Sequence, residues 1–348
     1  MRLRTLSACA LLAACVSLWG SAAARAHVGQ TPPAAGQAKP ADAKVSDAER
    51  KAAEKINLAT DNAAKLAAVT EFINKYPKST LRPRIGEAFA GMVNSTDDTA
   101  QRITAAEAYL KLFNEPGESD RVTAALLDAY LISGRAEESY RLGGEYLAKN
   151  PDDVDMMRRL AIVALNEAIK GNNKFVEQGQ KYGAKALELI ETDKRPASTD
   201  AAQWTEYKTK WLPAVYRESG FLAMQAGDKA AARVRLTKAA ELKSPDPVVY
   251  AVIGQMNDED YATMAGQYQK MAAGAEKTAM LKKVQEQMDK AIEYYAQSIA
   301  MAGDRPEYEQ LRAQVRPGLE EYYKFRHSGS TNGLQQFIDK YKPAPAAP

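Results

Sequence analysis

Two cysteines and two histidines are all that this chain of 348 residues contains, and that scarcity excludes a good deal. Both cysteines, Cys9 and Cys15, fall among the first fifteen residues. A chain that loses them has no disulfide, no thiol nucleophile and no zinc site of the common Cys/His kind. A Ser–His–Asp relay has only His27 or His327 to draw on. His327 sits in KFRHSGST, at a break between two predicted helices, where a polar residue at a helix C-terminus is the simpler reading. His27 would join a new N-terminus in binding copper only if a flexible segment could shape a site. Glycine is not arranged as a phosphate loop: no Gly-x-x-x-x-Gly-Lys follows a strand pattern. Gly143-Gly144 falls inside a helical register and reads as a place of close packing. No alternating strand pattern and no apolar run of spanning length is present. No metal and no cofactor are therefore expected.

The first 26 residues, MRLRTLSACALLAACVSLWGSAAARA, form a separate object. Arg2 and Arg4 give a basic start, Leu6 to Trp19 an apolar run, and Ala24-Arg25-Ala26 a small-residue cleavage point before His27. That pattern is a secretory signal peptide. The alternative is lipidation: Leu12-Ala13-Ala14-Cys15 resembles a bacterial lipoprotein box, although VSLW after Cys15 stays apolar. Export changes the charge balance. The segment holds three of the 47 basic residues and none of the 44 acidic ones, leaving 44 against 44. A formally neutral chain offers no basic face, so no nucleic-acid partner is expected. Residues 27–45 are rich in Pro, Ala and Gln without periodicity and read as a disordered linker, and 344–348 as a disordered tail.

From Ser46, where Ser46 and Glu49 spell a capping box, to residue 343 the pattern is helix, short break, helix. In LLDAYLISGRAEESYRLGGEYLAKNP, residues 126–151, Gly134 breaks one helical pattern and Pro151 closes the next. The arrangement recurs. Leu126 is matched by Leu160, and Tyr216 and Gly220 by Tyr250 and Gly254, each 34 residues on. A small residue stands five after each turn glycine, Ser139 after Gly134 and Ala232 after Gly227, as two closely crossing helices require.

The 34-residue series of an aromatic, a close-packing Gly, a turn Gly, two alanines and Pro resembles the tetratricopeptide repeat. The best match is 216–245, with Tyr216, Gly220, Ala223, Gly227, Ala232, Leu236 and Ala239. Residues 123–151 follow, departing at Thr123 and Ser139. The resemblance implies an all-α, right-handed superhelical solenoid of about seven helix pairs over 46–343, with a long helical insertion around 258–302. It implies a non-enzymatic scaffold or adaptor in a bacterial cell envelope, in the periplasm or secreted, binding a protein or peptide in its concave groove. By register, the first helices of two units would offer that partner Arg158 and Arg217, Ile162 and Phe221, Asn166 and Gln225. Arginine would suit carboxylates and the amides a peptide backbone. The Lys/Asn set with which some relatives clamp terminal carboxylates is missing.

Two rival readings stand. The stretch AAVTEFINKYPKST looks like the repeats of outer-membrane assembly lipoproteins, which would put the protein on a membrane through Cys15. A carboxylate-dependent hydrolase, with acids in a groove or in the 258–302 insertion, is the alternative of another class. Trp204, Tyr207 and Trp211 share a helical face ahead of Pro213, which tends to kink or start a helix, and are either core or an aromatic anchor. Met264, Tyr268, Met271 and Ala275 are spaced as another stripe, read as core or hairpin packing before a binding face.

Overall fold

The computed structural model describes residues 45–197 and 199–343. The expected signal peptide over 1–26, with Cys15, the expected linker over 27–45, with His27 and all but its last residue, and the expected tail over 344–348 lie outside the described residues. What is described is all-α: fourteen α-helices and two short 3-10 turns, and no strand among the described residues. The chain divides into two compact units at residues 163/164.

In the first unit, α1 (Asp47–Leu58) packs on α2 (Asn62–Lys75), α3 (Arg82–Ser95) on α4 (Thr99–Leu112), and α5 (Asp120–Ser133) on α6 (Ala136–Lys149). Helix starts are set by side chains that accept from otherwise unpaired amides. Ser46 Oγ accepts from Glu49 N at 3.2 Å while Ser46 N donates to Glu49 Oε2 at 2.8 Å, completing the capping box. Asp61 and Asp98 cap α2 and α4 by accepting from Ala64 N and Gln101 N, without the reciprocal bond. Gly134 ends α5 with φ 70°, a left-handed conformation that a side chain resists. Ser139 is fully buried, its hydroxyl donating to Arg135 O, and Gly143 lies against Leu160 on α7 (Val154–Ile169): a Cβ there would come within 2.9 Å of a Leu160 methyl. Phe72, Phe89, Tyr109, Phe113, Leu126 and Leu127 form the core. Arg82 is buried beside them because Glu118 and Leu112 O receive its guanidinium and Phe113 stacks beneath it.

In the second unit, α8 (Val176–Glu191) packs on α9 (Ala201–Gln225), which packs on α10 (Lys229–Glu241). Then come α11 (Pro247–Lys270) and α12 (Ala275–Ala302), a long antiparallel hairpin, followed by α13 (Glu309–Arg326) and α14 (Leu334–Asp339). The second turn glycine, Gly227, has φ 78° just after α9, and Ala232 five later is fully buried. Pro213, expected to kink or start a helix, does not interrupt α9. A proline inside a helix costs about 3 kcal/mol. Here it is offset by the burial that follows it, where all of Val215 to Ala223 but Arg217 is buried. Pro317 lies inside α13 in the same way. The glycines 34 residues apart do equivalent work: a Cβ on Gly220 would meet Leu236 at 2.7 Å, and one on Gly254 would meet the Tyr295 ring at 2.5 Å. The hairpin turns at 271–274, so the stripe read through Met264, Tyr268, Met271 and Ala275 is split: Met271 caps α11 and Ala275 opens α12.

Candidate functional site

The residues expected to face a partner separate into two groups. Arg158 and Ile162 on α7 are partly exposed, as are Asn166 on the same helix and Gln225 at the end of α9. Phe221 is 1% exposed and belongs to the core, which corrects its assignment to a groove. The reason is its neighbourhood: from Val215 to Ala223 only Arg217 escapes burial, so α9 offers no apolar face to a peptide at this point.

Arg217 is also committed. Its Nη2 lies 3.1 Å from Glu218 Oε1 and its Nη1 3.6 Å from Asp246 Oδ2. Glu218 is 2% exposed, and a buried carboxylate without a cation beside it is costly. Asp246 has a second task, accepting from Val248 N at 2.9 Å to cap α11. Arg217 therefore joins α9 to the start of α11 and neutralises two acids. It is not the open carboxylate receptor that register alone suggested.

The aromatic group ahead of Pro213 divides similarly. Trp204 is 4% exposed, its indole N–H donating to Asp193 at 2.8 Å and its ring stacking on Tyr207. It is core, not anchor. Tyr207 and Trp211 are partly exposed, with Lys210 over the Trp211 ring at 5.2 Å.

The most chemically distinctive cluster was not singled out by residue in the sequence. Asp258 on α11 accepts a hydrogen bond from Tyr322 Oη on α13 and faces Tyr295 Oη of α12 at 3.5 Å. Tyr261 packs edge-on against Tyr322. Burial pushes the Asp258 carboxyl above its ordinary range, against the two tyrosine hydroxyls, with Glu259 and Glu321 raising it further. Burial and the Asp258 charge push both tyrosines up. One step along, Gln287 Nε2 donates to Asn257 Oδ1 at 2.7 Å, and Arg233 pairs with Asp260 at 2.9 Å. This polar seam knits α10, α11, α12 and α13. A carboxyl held by two phenols is well placed to lock helices together. The one sequence signal for it was the acidic run Asp258-Glu259-Asp260 at the point where the hairpin begins to outgrow a repeat.

His327 ends α13. Its Nδ1 lies 2.8 Å from Tyr323 O, and its ring stacks on Tyr323 with centroids 3.8 Å apart. With Asp289, Ile292 and Phe337 these rings line a small opening of about 160 Å³. Asp289 is taken up in a two-pronged pair with Arg326, at 2.7 and 3.0 Å. Among the described residues, no group of three or more His, Cys, Asp or Glu gathers to hold a metal ion, and no helix is long and apolar enough to cross a membrane. No protein-family model matches the chain, and no curated protein matches it.

Proposed function

We propose that the chain is a non-enzymatic protein-binding scaffold of tetratricopeptide-like repeats, exported to a bacterial cell envelope. One observation carries this reading. Gly220 and Gly254, 34 residues apart, each seat a bulky side chain of the following helix, Leu236 and Tyr295, at a distance that leaves no room for a Cβ. That is one packing solution used twice, as a repeat requires. The neighbour-on-neighbour packing of the helices is in keeping with it.

The partner-facing set is narrower than register implied. Arg158, Ile162, Asn166 and Gln225 stay as candidates, being partly exposed. Phe221 and Arg217 are consumed by the fold.

The test is an affinity pull-down. Tagged 27–348 is incubated with detergent-solubilised envelope, and retained proteins are identified by mass spectrometry. A defined partner is expected, weakened by Arg158→Ala and Asn166→Ala and unaffected by Asp258→Asn. A hydrolase panel run beside it supplies the contrary outcome: turnover abolished by Asp258→Asn would overturn the scaffold reading for the hydrolase.

A further inference from the structure

The outer part of the α11–α12 hairpin stands apart from the rest of its unit. Up to Tyr261 it is tied into the fold through Asp258, Tyr295 and Tyr322. Beyond that, the bonds run within the hairpin. Lys277 Nζ donates to Met271 O at 2.8 Å and lies over the Tyr268 ring at 5.1 Å, and Thr263 and Thr278 bond back into their own helices.

Two properties coincide there. The first is an open apolar seam. Met264 and Tyr268 from α11, Met271 at its C-cap, and Met280 and Leu281 from α12 are all partly exposed. Two helices alone cannot cover such a seam; a third laid along it would. Methionine's flexible thioether adapts to varied apolar partners. The second is charge. From Ala262 to Lys283 there are four lysines, Lys270, Lys277, Lys282 and Lys283, against one acid, Glu276. Lys270, Lys282 and Lys283 are exposed. The base of the hairpin carries the acidic run Asp258-Glu259-Asp260, so the hairpin is acidic at its root and basic at its end.

We propose that the outer hairpin, residues 262–284, is a docking surface for an acidic amphipathic helix of a partner protein, which lies in the seam and completes a three-helix bundle. The inference rests on the protein-binding reading above. Complementary charge selects the partner's sign and speeds its arrival. A lipid surface is the poorer fit. Besides the lysines, the exposed positions include Ala262, Thr263, Gln267, Ala272, Ala275 and Ala279, small or polar groups, and none is the Trp, Phe or Leu that a membrane-lying helix carries.

The probe is a synthetic 21-residue helix with Leu at helical spacing flanked by Glu, and a twin with each Glu replaced by Lys. Binding to 27–348 is read by fluorescence anisotropy in about 0.05 M and 0.5 M salt, which spans weak to strong screening. The acidic peptide is expected to bind one to one and to weaken with salt, and the basic twin not to bind. K270E/K282E/K283E, at exposed sites, is expected to weaken the acidic peptide by about tenfold. Met264→Asp with Met280→Asp removes the seam, and Lys111→Glu, in α4, serves as the charge control. Equal binding of both peptides, or unchanged binding by the triple variant, overturns the inference. So does sedimentation with phosphatidylglycerol vesicles that the triple variant loses, which assigns the surface to lipid. If the envelope partner is retained by the triple variant and the peptide also ignores it, the hairpin surface falls and the scaffold stands. If no envelope partner exists while the acidic peptide binds through the hairpin, the repeat-groove reading falls alone.

Discussion

Gly254→Ala isolates a single close contact. Gly254 lies inside α11, and the added Cβ would sit 2.5 and 2.7 Å from two carbons of the Tyr295 ring. Tyr295 is 3% exposed and its hydroxyl faces Asp258, so the ring has nowhere to go without disturbing the polar seam. Overpacking of this kind costs about 1–3 kcal/mol. Against it, alanine favours a helix over glycine by about 1 kcal/mol. Gly266 lies in the same helix with nothing within 4 Å of its would-be Cβ. Gly266→Ala therefore carries the propensity gain alone. We expect Gly266→Ala to stabilise by up to about 1 kcal/mol and Gly254→Ala, with the same gain set against the clash, to destabilise by up to about 2 kcal/mol. The assay is urea denaturation followed by circular dichroism, with Tyr295→Leu and the Gly254→Ala/Tyr295→Leu double variant closing a cycle. The double variant should lose less than the two single losses combined, because the smaller side chain relieves the clash. If both glycine variants stabilise alike, the close approach is not what holds Gly254 in place, and the repeat argument built on it fails.

Further outcomes follow from the same geometry. Arg217→Ala leaves Glu218 buried without its cation and should cost about 3 kcal/mol in denaturant stability; a loss under about 1 kcal/mol, the range of an exposed pair, would mean that water already screens the pair. Gly134→Ala places a side chain at φ 70° and should cost about 1 kcal/mol, read as a lower urea midpoint. Asp258→Asn alters the pH dependence. The raised carboxyl favours folding when protonated, so its contribution is full below the unfolded value and is lost as pH rises through the raised folded value. The variant's stability relative to wild type should thus climb from acid to neutral pH, and a constant difference across that range would count against a desolvated Asp258. Finally, 27–348 contains Trp204, 4% exposed, and Trp211, partly exposed. Acrylamide should quench two populations, the resistant one vanishing in Trp204→Phe.

What could be read from sequence was local. The Ser46–Glu49 cap, the break at Gly134 and the small Ser139 and Ala232 depend on residues within a turn or two, so spacing alone finds them. Gly220 and Gly254 were visible because a repeat prints the same packing need twice. The errors lie where distant residues decide. Register placed Phe221 and Arg217 on a groove, but one is core and the other is held by Asp246, 29 positions away. The partnership of Asp258 with Tyr322 joins residues 64 apart and has no signature in composition or period. Pro213 does not start a helix as it could have, because its local cost of about 3 kcal/mol is offset by the burial that follows it.

The hairpin's outer half bonds chiefly to itself, and that gives it a freedom of length which the rest of the second unit lacks. Taking seven residues from each helix of the hairpin, two turns or about 10 Å, would bring the same face of α11 back against the same face of α12. Asp258, Tyr295 and Tyr322 would be undisturbed. Insertions and deletions in multiples of that step can thus accumulate over evolutionary time at little cost to folding, making this arm the part of the unit whose reach is set by what it must touch.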